Sequence, residues 1–280
     1  LNAKSGMYQN KGENQIKEII NASRVSVFFI DEDQVVTSKD IGSINGIKHW
    51  AEELGSELYY NEETKLVSQF RCNGSDGYIA FWDNILGIRK TANYDLSDLN
   101  YDVKLFEDPN DMRLELLKKN HINNKARMIA GYCYEWVSKN NPNGYVYDIN
   151  LPHDFHAKWN FGTTKTWAID PDSFAQVGCI HTSQGLEFDY CGIIIGKDLR
   201  YENGHIITDA SKRARSDKSL VGLYNNPLSV TADKIIRNTY KTLLTRGQKG
   251  CYIYCEDHAL FEYLSQWLPV VHRNDEMDEI

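Results

Sequence analysis

The chain has 280 residues, 41% of them hydrophobic and 25% charged, and a formal net charge of −8. That length buries one large or two modest cores, and 17 Tyr, 10 Phe and 6 Trp exclude a disordered tail. No apolar run reaches the ~18 residues of a membrane span, and six irregularly spaced Cys read as reduced thiols of a cytoplasmic protein.

Leu1–Gln15 is polar and is no signal peptide, and the absence of an initiator Met predicts a piece of a longer chain. Gln15–Ala22 carries Ile16, Ile19 and Ile20 at helical spacing. Val25–Ile30, almost wholly apolar, is predicted as a strand buried on both faces. Ser43–Leu54 predicts a helix with Ile44, Ile47, Trp50, Ala51 and Leu54 on one face. Lys65–Phe70 predicts a strand. Ser75–Ile88 predicts a helix capped by Ser75 and closed near Gly87. Val103–Phe106 follows as a strand and Pro109–His121 as a helix with Pro in its first turn. Arg127–Tyr134 fits a strand or a helix end equally well.

Residues 140–172, with Pro, Asn and Gly among short aromatic segments, predict an insertion of loops and short antiparallel strands. Strands Val177–Ile180 and Cys191–Ile195 come next, then a polar stretch to about Thr231. Helix Ala232–Thr245, strand Cys251–Cys255 and helix His258–Trp267 complete the series. Strand and helix alternate at both ends, which predicts an α/β fold with a mostly parallel sheet flanked by helices. Four acids, Asp275, Glu276, Asp278 and Glu279, crowd the tail 271–280 and carry half of the net charge. A local basic surface is therefore compatible with the acidic total, and Lys212-Arg213-Ala214-Arg215 is the densest candidate, with a solvated loop as its plainer reading.

Four segments carry the residue types that chemistry needs. Phe28-Phe29-Ile30-Asp31-Glu32-Asp33-Gln34 ends an apolar run in acids and an amide. Carboxylates there can hold Mg²⁺, and an amide can orient water or meet a phosphate. Ser68-Gln69-Phe70-Arg71 places a guanidinium at a strand end, suited to bidentate phosphate contact. Gly178 to Tyr190 gathers His181, Thr182, Ser183, Gln184, Gly185 and Glu187 in one short turn between strands, where backbone and hydroxyls can approach an anion. Asn238–Gly247 is a helix ended by Arg246-Gly247, with Gly247 a plausible left-handed cap. An acidic turn, a surface Arg and a cation on a helix dipole are the structural alternatives for the first, second and fourth. His153-Asp154-Phe155-His156 lacks a matching ligand pair, so no metal site is expected, although metal-dependent hydrolysis there is a remote option. Cys251 and Cys255 fit core packing better than zinc.

In this order, the segments resemble the back half of a superfamily 1 DNA/RNA helicase, with the Schlafen group 3-like helicases as the nearest family. His181-Thr182-Ser183-Gln184-Gly185-Leu186-Glu187-Phe188-Asp189 resembles helicase motif V, and Thr242-Leu243-Leu244-Thr245-Arg246-Gly247 resembles motif VI with its arginine finger. Ser68–Arg71 is similar to motif IV and Ile30–Gln34 to motif III, with a Walker B acid pair in Phe29-Ile30-Asp31-Glu32 as the alternative resemblance. The resemblance covers roughly residues 15–268 and implies a RecA-like P-loop NTPase fold. Residues 1–60 would be the tail of the first RecA-like domain and 61–270 the second.

The resemblance assigns Arg246, Arg71 and Gln34 to catalysis, and Gly185, Glu187, Asp31 and Glu32 to ATP with Mg²⁺. His181, Thr182, Ser183 and Gln184 would contact single-stranded DNA or RNA. The sequence contains no Gly-x-x-x-x-Gly-Lys-Ser/Thr loop. The expectation is a fragment of an ATP-dependent helicase or translocase that is inactive by itself, its ATP site completed by an upstream part. The alternative is a non-catalytic nucleic-acid- or protein-binding module with a RecA-like fold.

Overall fold

The structure, a computed structural model of the chain, describes residues 14–38, 42–64, 72, 75–92, 96, 100–141, 144–159, 166–183, 186–223, 226 and 229–273. The predicted strand Lys65–Phe70 lies outside them. The chain divides into two compact units, Leu1–Ser68 and Gln69–Ile280.

The first unit is built on two helices. Helix α1 (Gln15–Ala22) starts where the Asn14 side chain accepts from Lys17 N at 2.9 Å, and α2 (Ile44–Glu53) where Ser43 caps Gly46. Lys17 Nζ lies 2.7 Å from a Glu53 oxygen and ties the two helices together. Val25–Ile30 corrects the sequence reading. It is extended but enters no ladder with any described residue, and Val25, Val27 and Phe29 are exposed. Hydrophobic content marks the run as strand-like, but a ladder also requires a neighbouring strand.

The second unit begins with α3 (Asp76–Ile85), capped by Ser75 and closed by Gly87 at φ +64°. Its strands are β1 (Asp102–Phe106), β2 (Ala126–Ala130), β3 (Ile149–Leu151), β4 (Phe155–Trp159), β5 (Gln176–Cys179), β6 (Phe188–Ile195), β7 (Leu199–Glu202), β8 (His205–Thr208), β9 (Gly247–Cys255) and β10 (Val270–Val271). The remaining helices are α4 (Pro109–Asn123), α5 (Ile180–Ser183), α6 (Val230–Leu244) and α7 (His258–Ser265).

Eight strands form one sheet in the order β10-β1-β9-β6-β2-β5-β4-β3, parallel throughout except for the β3–β4 hairpin. All five residues of β2 are buried, as a strand covered on both faces requires. Helix α4 covers one face, where Leu116 fills the space over Gly192. On the other face α6 sets the Tyr240 ring against Gly131, while the Tyr78 hydroxyl of α3 donates to Leu244 O. The fold is thus α/β with a mostly parallel sheet, consistent with a RecA-like domain.

Two features add to the sequence reading. The insertion forms the expected antiparallel hairpin, and its strand β4 also pairs in parallel with β5, so the insertion widens the main sheet. The polar stretch before Thr231 contains the β7–β8 hairpin, whose turn is Asn203-Gly204, both at positive φ. Asn-Gly between two extended runs is a strong hairpin signal.

Candidate functional site

At the N-terminal edge of the sheet, α6 runs into β9 through Arg246. Its N-terminal cap is Ser229, and its last turn closes through Thr245 N to Lys241 O. The Arg246 side chain is 2% exposed, and its Nη1 donates to Leu186 O at 3.3 Å. Phe188 N in turn donates to Arg246 O at 3.2 Å. The helix end and the second half of the 178–190 segment are therefore joined at one place, with Glu187 exposed beside them.

Gly247 does not adopt the left-handed conformation expected of a cap. Its small size serves another purpose, because a Cβ there would lie 2.0 Å from Gly250 O. The register of β6 against β9 shifts here, the signature of a bulge. Next to it, Asp189 receives hydrogen bonds from Lys249 Nζ at 2.8 Å and Asn123 Nδ2 at 2.7 Å. Partial burial pushes the Asp189 carboxyl up, but those bonds and the Lys249 charge together hold it below the usual carboxylate range.

The first half of the 178–190 segment lies at the opposite, C-terminal edge. His181 is exposed, with its ring 5.5 Å from that of Tyr132. Thr182 Oγ1 donates to Cys179 O at 2.9 Å. Ser183 is fully buried, and its hydroxyl bonds back to Cys179 O and Ile180 O. The structure thus separates His181 from Arg246 by the height of the sheet. Of the four side chains read from the sequence as strand contacts, three are described, and among these His181 is the exposed one.

Arg213 does not contribute to a basic surface. It is buried, donating through Nε to Asp198 at 2.8 Å and through Nη1 to Asp217 at 2.9 Å and to Ser219 at 3.1 Å. The Tyr240 hydroxyl also donates to Asp198. Burial disfavours the guanidinium charge, but the two carboxylates more than offset it and raise the Arg213 pKa. Nearby, the Tyr134 hydroxyl donates to Glu256 at 2.6 Å. Burial pushes the Glu256 carboxyl above its ordinary range, against the Tyr134 bond and the Lys197 charge.

In the first unit, Glu32 to Gln34 form a short 3₁₀ turn. Gln34 Nε2 donates to Asp31 at 2.6 Å, and Glu32 accepts from Ile44 N at 3.0 Å. Arg71, Gln184 and Gly185 lie outside the described residues. The Mg²⁺–ATP implied by the resemblance is not matched by the described residues alone. They include no group of three or more His, Cys, Asp or Glu side chains able to hold a metal ion, and the sequence has no phosphate loop. His156 Nδ1 pairs with Asn150 Oδ1 at 2.8 Å, and its ring stacks on Tyr147.

Sequence reasoning passed over an aromatic wall at the C-terminal edge. Tyr132, Trp136 and Trp159 line a cavity of about 760 Å³ together with His181, Lys139 and Lys218. The alternation Tyr132-Cys133-Tyr134-Glu135-Trp136, closed by Lys139, is the local signal for it. No described helix is long and apolar enough to cross a membrane.

The chain is 25% identical over 277 residues to the uncharacterized protein YPL245W of Saccharomyces cerevisiae, covering 90% of this chain. It spans 59% of the length of that relative. A family model described as Schlafen group 3, DNA/RNA helicase domain, matches residues 1–257. With that much of its length matched, the chain belongs to the Schlafen group 3 DNA/RNA helicase domain family.

Proposed function

We propose that the chain is part of an ATP-dependent DNA/RNA helicase or translocase and contributes its motif III- to motif VI-like segments. At the coarse level the family membership carries a helicase-like function, with interaction with nucleic acid and nucleotide. The observation that carries the finer reading is the Arg246–Leu186 hydrogen bond. It couples the helix end that resembles motif VI to the turn that resembles motif V. A change felt at one is thereby transmitted to the other. In this reading Arg246 and Arg71 supply cations toward a γ-phosphate, Gln34 orients water, and Asp31, Glu32, Gly185 and Glu187 border the nucleotide. A phosphate loop has to come from outside these residues. His181 is the exposed contact to the single strand, Thr182 lies beside it, and Ser183, which is buried, shapes the turn that presents them; the resemblance adds Gln184.

The test is phosphate release by the purified 280-residue chain, with and without single-stranded DNA or RNA. Turnover at background is the expected outcome, because an arginine without a positioned γ-phosphate has no developing charge to stabilise. Robust turnover would overturn the reading. The deep burial of Arg246 favours a second reading, a nucleic-acid-binding module without ATP turnover. An intact parent protein that binds nucleic acid yet shows no ATPase would establish it.

A further inference from the structure

The cavity at the C-terminal edge of β2 and β5 has the make-up of a site for a flat, electron-rich ring that carries negative charge on its flank. Tyr132 and Trp136 form its aromatic side and the fully buried Trp159 backs them, its ring edge to face with Tyr132 at 4.5 Å and 6.5 Å from Trp136. Lys139 and Lys218 bring cations to its rim beside the His181 ring, and Glu135 is the one acid among the lining residues. The buried indole N–H groups of Trp136 and Trp159 have no hydrogen-bond partner among the described residues. Both N–H groups are fully covered, so the cavity presents the partly exposed rings of Tyr132 and Trp136 rather than these donors.

Both walls are held from behind. Asp148 accepts from Ser138 N at 2.7 Å, Ser138 Oγ at 2.6 Å and Trp159 N at 2.7 Å, which fixes the segment that bears Trp136 and Lys139. The buried Arg213–Asp217 pair anchors the loop that bears Ser216 and Lys218. That loop also donates Ala214 N to Tyr132 O at 2.8 Å and Arg215 N to Glu135 at 2.6 Å. A pocket braced by buried charges on two sides is preorganised, and that lowers the entropy cost of binding.

We infer that this cavity receives an unstacked nucleobase of a single-stranded nucleic acid, with Lys139 and Lys218 on the flanking phosphates. The inference rests on the nucleic-acid reading above and names the subsite within it. Stacking on the Tyr132 and Trp136 rings accepts any base. Lysines pair with phosphate as point charges. Glu135, already engaged by Arg215 N, stays on the rim.

The experiment measures binding of the 280-residue chain to short end-labelled oligo-dT, oligo-U and an abasic oligomer of the same backbone, by fluorescence anisotropy over a salt series. The oligomers with bases should bind at least ~10-fold tighter than the abasic one, and the dT-to-U ratio tells DNA from RNA. Trp136→Ala should weaken binding about 5- to 150-fold. Lys139→Ala with Lys218→Ala, both exposed and remote from the core, should lower the slope of log K against log salt by about 1.4 with the melting temperature unchanged.

Equal binding of the abasic oligomer, or variants that keep wild-type affinity and slope, overturns the pocket and leaves the nucleic-acid reading standing. Tighter binding of a proline-rich peptide than of any oligomer also overturns it. A wild-type chain that binds none of the oligomers removes both. Should Trp136→Ala fail to fold, the lysine pair alone decides.

Discussion

Arg246 and Arg213 are both buried guanidinium groups, and they make different demands on the fold. Arg213 sits between Asp198 and Asp217 with its side chain fully covered. Arg213→Met keeps much of the volume but leaves two buried carboxylates without a counter-charge, a loss of about 3–5 kcal/mol. Urea unfolding checks this, and a loss below ~1 kcal/mol would mean that the carboxylates find other partners. Arg246→Lys in the intact parent protein keeps the charge but loses the planar fork that reaches Leu186. If the group serves nucleotide turnover, ATPase should fall by at least ~10²-fold while nucleotide affinity changes much less. A purely structural Arg246 would lower the melting temperature and leave turnover per folded molecule intact. From the sequence alone, Lys212-Arg213-Ala214-Arg215 looks uniformly basic. Asp217 and Ser219 lie just downstream, but Asp198 and Thr239, which complete the burial of Arg213, come from other elements that no local pattern announces.

At the scale of elements, the junction from α6 into β9 is the tightest point. Gly247→Ala has to displace the Gly250 carbonyl, a backbone atom that cannot swing aside. A cost of about 1–3 kcal/mol in urea unfolding is expected, and a neutral substitution would show that the bulge is pliable. At the opposite ends of β6 and β9, Glu256 has a folded pKa raised above its ordinary 4.5 by burial. The fold therefore favours its protonated form. That contribution is fully present below the unfolded value and is lost as pH rises through the folded one. Glu256→Gln stays neutral and still accepts from Tyr134, so the stability of wild type relative to this variant should decline as pH rises above the ordinary carboxylate value of 4.5. A flat difference in a urea titration would contradict this.

Most helices were legible from apolar residues at helical spacing, and α3 also from its Ser75 cap. Val25–Ile30 was misread because its composition is that of a strand while no described neighbour pairs with it. The β7–β8 hairpin is marked by Asn203-Gly204 at its turn, but its strands of four residues each are too short to show a clear alternation.

For the molecule as a whole, the alternation of strand and helix foretold the α/β class, but not a strand order that sets β9 between β1 and β6. Order depends on which helix covers which face, and that emerges only when all the elements pack. The aromatic cavity is illegible for the same reason. Tyr132, Trp159, His181 and Lys218 are far apart in the chain and meet only at the folded edge.

The described sheet ends on β10, two residues long, at one rim and on β3, three residues long, at the other. Rims that short offer a second copy few open N–H and C=O groups to pair with, so the hairpin from the insertion also acts as a guard against self-association. Excising residues 149–159 would bare the flank of β5, whose apolar residues Val177 and Cys179 are otherwise covered. The trimmed chain should bind thioflavin T and sediment as large species where the intact chain stays monodisperse.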